Sequence, residues 1–223
     1  MAKDSDNFIN ELKFDDLKEN TKKFLLKYYK YIIAMVLALT IFFTVRFSVK
    51  NIERNRIEKY NERIFLSMAS ENPGVELEKI YGDKSIPSIS KTFGGLSLVG
   101  EYTKNHQNEK VIEIYEEIFG RENDVYLKYY VGLNLLITRL NEENPNIERI
   151  GELFSKLESK DNPLINLVIE QKALFFIKQK KYDQAVEAIR NLMKRSDVDN
   201  NFRERLDRYL DFSQRQLRQL RRF

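Results

Sequence analysis

The sequence predicts an all-α protein: a single N-terminal transmembrane helix followed by a tetratricopeptide-like (TPR-like) array of antiparallel helical hairpins. Three observations predict it. Gly and Pro are scarce, with 8 and 4 in 223 residues, so helices meet few breakers. The run from Tyr31 to Val45 carries no charge. Beyond it, apolar residues recur at helical spacing in blocks separated by short turns, the pattern of antiparallel helical neighbours.

Residues 1–30 read as a polar juxtamembrane tail in which Lys18, Lys22, Lys23, Lys27 and Lys30 favour anionic headgroups. The lipid bilayer is therefore one expected partner. Residues 31–49 read as the span. Tyr31 to Val45 is 15 residues, about 22 Å of helix, and the extension to Val49 reaches about 28 Å, close to the thickness of a hydrocarbon core. The extension takes in Arg46, which near a helix end snorkels to the headgroups. Between Ile32 and Val45 the polar side chains are Thr40 and Thr44. Such a helix is apolar all round, whereas a core helix is amphipathic. No small-residue cleavage site follows, so the reading is an uncleaved anchor. The fifteen residues before Tyr31 carry five Lys, and the fifteen from Arg46 carry five Lys or Arg. The flanks tie, and only the tendency of long domains to translocate regardless of charge tilts the N-terminus inside.

Residues 50–72 continue as a helical stalk, with Ile52, Arg56, Tyr60 and Ile64 on one face and Ile57, Phe65 and Met68 beside it; Pro73-Gly74 is expected to end it. Residues 73–223 form the TPR-like domain, and its last helix fits no repeat and reads as a cap. The best repeat window is Ile169 to Leu192, "IEQKALFFIKQKKYDQAVEAIRNL". Ala173, Phe176, Tyr182, Ala185, Ile189 and Leu192 fall at the small, aromatic and bulky positions of a tetratricopeptide unit. Small residues let two helices approach, and bulky ones fill the space around the contact. Two hairpins before it are looser. Gly94 and Gly95 are candidates for close approach in one, with Tyr102, Val111, Tyr115 and Ile118 as bulky positions. Gly132 serves the other, with Ile150, Phe154 and Leu157, across the longer loop "NEENPN".

The order of these parts resembles the YfgM-type family of bacterial inner-membrane proteins with a tetratricopeptide-like domain, in its alphaproteobacterial, Rickettsiales-like form. The lead "FINELKFDDLKENTKKFLLKYYKYI", the span running into "RFSVKNIERNRIEKYNERI", the Gly94-Gly95 helix and the Ala173–Tyr182–Ala185 unit carry the resemblance. It implies an inner-membrane protein with a cytoplasmic N-terminus and a periplasmic helical domain. It further implies association with the Sec translocon or with periplasmic chaperones.

Catalytic and metal motifs are not found. There is no Cys, and the single His, His106, sits in the polar turn "KNHQNEK", so a zinc site is not expected. No phosphate or dinucleotide fingerprint occurs. Glu116-Glu117 and Glu142-Glu143 are sequence neighbours whose side chains diverge on a helix. No enzyme, cofactor, nucleic acid or small-molecule substrate is expected. The net charge of +4 resides in residues 203–223, where seven Arg face Glu204, Asp207 and Asp211. Leu217, Arg218, Arg221 and Arg222 belong either to a plain capping helix or to one that docks on a partner or on anionic headgroups.

The expected function is a single-pass, membrane-anchored protein-interaction module. Tyr102, Tyr129 and Tyr130 are candidate partner contacts, and core positions are the equal alternative for them. The other reading is a structural assembly factor that engages a membrane complex through the span itself.

Overall fold

The computed structural model describes residue 35 and residues 37–220. The chain divides into two compact units, residues 1–58 and 59–223. The described residues contain helices and no strands.

In the first unit, residues 37–58 are helical. Leu37, Leu39, Ile41, Phe42, Phe43 and Val45 are all exposed, as are Val49 and Arg46. Seven of the nine side chains from Leu37 to Val45 are apolar, Thr40 and Thr44 being the exceptions, so the stretch is apolar on nearly every side, as its sequence requires. The Thr44 hydroxyl donates to the Thr40 carbonyl at 2.7 Å, so this polar group is satisfied within the helix. Among the described residues no helix is long and apolar enough to cross a membrane. The expected span begins at Tyr31, however, and residues 31–34 and 36 lie outside the described set, as does the tail 1–30.

The second unit opens with helical residues 59–68 (α1). It continues with α2 (Pro73–Tyr81), α3 (Ser88–Lys104), α4 (Asn108–Arg121), α5 (Val125–Leu140), α6 (Ile147–Leu157), α7 (Ile165–Lys178), α8 (Tyr182–Met193) and α9 (Asn200–Leu220). Consecutive helices from α2 to α9 pack on one another, and α7 also touches α5 and α9. One boundary differs from expectation. Pro73 does not end the stalk; helix α1 stops at residue 68, and Pro73 occupies the first turn of α2. Proline fits there because its missing N–H would have no partner in any first turn and its φ is already helical. Two helix starts carry a side-chain cap: Asp124 accepts from the Leu127 N–H at 2.8 Å, and Asn146 from the Arg149 N–H at 3.1 Å.

The core comes in three sections along the array. Ile64, Leu77, Leu98 and Ile118 anchor the first. Leu136, Ile150, Leu157 and Val168 anchor the second, and Ala173, Ile189, Leu192 and Leu206 the third. Each section is shared by successive hairpins, so each hairpin depends on its neighbours for burial. A fully buried leucine such as Leu136 or Leu157 contributes about 1.5–3 kcal/mol.

Two hairpins share one turn. The α3–α4 turn places His106 at φ 55° and the α7–α8 turn places Lys180 at φ 59°. In the first, the Gln107 N–H donates to Tyr102 O; in the second, the Lys181 N–H donates to Phe176 O, both at 2.9 Å. His106 and Lys180 donate in turn to Thr103 O and Ile177 O. This is the left-handed helix stop that glycine favours, here built on two larger residues. The shared turn fixes the repeat register. Tyr102 corresponds to Phe176, Val111 to Ala185, Tyr115 to Ile189 and Ile118 to Leu192. The residue matching Ala173 is then Val99.

Of the two adjacent glycines, one makes the close approach expected of the pair. A Cβ on Gly95 would lie 2.8 Å from Tyr81 and 2.9 Å from Ile118, so this residue lets α3 meet α2 and α4. A Cβ on Gly94 would be in ordinary contact with Ile64 at 3.5 Å. Gly132 keeps its expected role: a Cβ there would lie 2.7 Å from both Leu157 and Phe119.

Candidate functional site

The α7–α8 hairpin closes on small and bulky residues of both helices. Ala173 and Ala185 are fully buried, as are Ile189 and Leu192. Tyr182 is half-buried, its ring edge-on to Phe212 of α9 at 6.3 Å. Phe176 turns away from this interior; half-buried, it lines an open groove of about 800 Å³ on one face of the hairpin.

Helix α7 forms the apolar floor of that groove with Ile165, Ile169 and Phe176. Helix α8 forms a wall with Gln184, Ala188 and Asn191. The hairpin is antiparallel and folds at Lys180, so Asn191 stands level with Ile169, and Gln184 with Phe176. Charges rim the site. Lys172 Nζ pairs with Glu158 at 2.6 Å, and Arg195 pairs with Asp197 at 3.0 Å. The Arg195 hydrogen bond holds the Asp197 carboxyl below its ordinary value. Lys160 and Glu187 also line the groove, both exposed.

The preceding hairpin carries the same face in a different state. Arg149, Glu152, Leu153 and Lys156 of α6 line a cavity there, with the spacing that Gln184, Glu187, Ala188 and Asn191 have on α8. That cavity is about 290 Å³. Arg139, whose side chain is only 8% exposed, reaches into it, bonds Glu116 and lies 3.9 Å from Glu142. The middle groove is thus narrowed by an ion pair, while the α7–α8 groove is open.

The other candidate contacts scatter. Tyr102 is not available to a partner: it is 8% exposed and belongs to the first core section. Its hydroxyl donates to Glu78, and Lys110 lies 4.7 Å above its ring. Burial, and then Glu78, pushes the Tyr102 hydroxyl up, while the hydrogen bonds from Tyr102 and Lys110 hold Glu78 down. Tyr129 is half-buried on the second core section. Tyr130 is 45% exposed and keeps a surface to offer. Leu217 is half-buried and Arg218 exposed, while Arg221 and Arg222 lie outside the described residues.

Several structural polar residues were not singled out from the sequence. Asn162, 2% exposed, donates to Leu157 O and accepts from the Leu164 N–H, joining α6 to α7. Glu122 accepts from Thr92 at 2.8 Å and from the N–H groups of Asn123 and Asp124. Arg203 donates to Met193 O, Arg195 O and Val198 O, closing the α8–α9 turn. The Asn162-Pro163 pair was a turn signal; Arg203 was hidden among the other arginines. No group of three or more His, Cys, Asp or Glu among the described residues is placed to hold a metal ion.

No family model, curated protein or solved structure matches this chain.

Proposed function

We propose that the protein is a single-pass, membrane-anchored interaction module whose helical array binds polypeptide in the α7–α8 groove. The open, apolar-floored groove of about 800 Å³ carries this reading, because its size and lining suit a bound organic ligand and its rim offers no catalytic constellation. The nearly all-round apolar surface of residues 37–45 supports the anchor, since a helix of that kind is normally buried in protein or lipid. The resemblance in the order of parts adds the expected setting: an inner membrane, the N-terminus inside, the array in the periplasm, and work beside the Sec translocon or periplasmic chaperones.

Two variants of the full chain in native membranes test the reading. One replaces residues 31–49 by an unrelated span; the other is the double substitution Gln184→Ala, Asn191→Ala. Co-purifying proteins should survive the span replacement and be lost with the groove variant. The opposite pattern supports the assembly-factor reading and overturns this one.

A further inference from the structure

The groove has a length, a hydrogen-bonding pattern and a charge order, and together they specify an occupant. Ile165 to Phe176 spans about 16 Å of α7, the reach of about five extended residues. Gln184 and Asn191 lie two turns apart on α8, about 10 Å, and both are exposed. A side-chain amide donates and accepts at once. An extended backbone has both kinds of group free on its edge, whereas a helix has already used its own. The amides therefore favour a strand-like segment over a helical one.

The charges give direction. Lys172 and Arg195 are each held by a carboxylate. Lys160, in the turn before α7, and Glu187 have no ion-pair partner among the described residues. Glu187 stands level with Ala173, about 12 Å along α7 from Ile165, or three to four extended residues.

Resting on the interaction reading above, we propose that the α7–α8 groove binds an extended polypeptide segment of about five residues. Aliphatic side chains face Ile165, Ile169 and Phe176, an acidic residue meets Lys160, and a basic residue about four positions away meets Glu187. The middle hairpin does not offer an equal site, because Arg139 and Glu116 occupy its corresponding face.

Fluorescence anisotropy on the full chain in nanodiscs tests this with three labelled peptides: SDIVLKS, the doubly acidic SDIVLDS, and SDIPPKS, which keeps the charges and loses the central aliphatic pair. SDIVLKS should bind at least fivefold tighter than either other peptide. The variant Glu187→Lys should reverse the preference between SDIVLKS and SDIVLDS by at least tenfold, and Gln184→Ala with Asn191→Ala should weaken both. Equal binding of the first two peptides, or no reversal in Glu187→Lys, overturns the charge order and the proposal with it. A helix-stapled peptide of the same composition binding tighter than SDIVLKS overturns the extended geometry. If no peptide binds while a crosslinker at Ala188 still captures polypeptide in membranes, this inference fails and the interaction reading stands. If neither occurs, both fail.

Discussion

At the residue scale, adjacent glycines with opposite tolerances test the packing. Gly95 lets α3 approach the Tyr81 ring and Ile118, whereas Gly94 has room for a methyl group. Gly95→Ala should destabilise the array by about 1–3 kcal/mol through overpacking. Gly94→Ala should be neutral or stabilising by up to about 1 kcal/mol, since alanine is the better helix former. Urea unfolding of the full chain in detergent reads both; equal effects at the two positions would contradict the packing described here. The sequence made these glycines conspicuous but not their neighbours. A glycine pair marks a close approach without saying which of the two glycines is needed or which helix approaches; here Gly95 makes the approach and Gly94 does not. Tyr102 shows the same limit in reverse. A tyrosine at helical spacing fits a groove or a core equally well; the pairing of its hydroxyl with Glu78, a helix away, decides for the core.

At the element scale, the helical character of the chain was legible, because apolar spacing acts locally. The less legible boundaries involve local rules that two positions satisfy in unlike ways. Pro73 reads equally as a stop or as a first-turn residue. His106 and Lys180 end helices in the left-handed conformation that glycine usually supplies. The last helix buries one face and exposes another. Its Phe202 and Leu206 bury against α8 while Asp207, Arg208 and Asp211 face out. Its link to α7 is the pair of Arg205 with Glu170, at 2.6 and 3.1 Å, the glutamate 4% exposed. Two of the C-terminal arginines, Arg203 and Arg205, therefore work inside the fold, which charge counting had no means to show. Arg205→Ala should cost about 1–3 kcal/mol, discounted from a fully buried pair because Arg205 is partly exposed. Adding Glu170→Gln should recover part of the loss by removing the stranded charge. Thermal unfolding of the single and double variants checks this, and a double variant less stable than Arg205→Ala alone would contradict it.

For the whole molecule, the second unit is a row of hairpins with the core divided into three sections and a repeated groove face. Repetition alone does not make the grooves equal. Arg139 narrows the middle one, and small or neutral side chains on α8 leave the last one open. The strong repeat signal in the sequence fell on this same hairpin, but it described the packing of Ala173 against α8 rather than the open face behind it. Lining residues such as Gln184 and Asn191 belong to no consensus, so their significance needed the structure. The most direct measurement of the central claim is site-specific photo-crosslinking from Ala188 of the full chain in native membranes, with Glu152 on the narrowed middle face as the comparison position. Polypeptide adducts should form from Ala188, be absent or few from Glu152, and fall when Gln184 and Asn191 are both changed to alanine. Equal adducts from the two positions, or none from Ala188 while the protein remains associated with a membrane complex, would contradict the account.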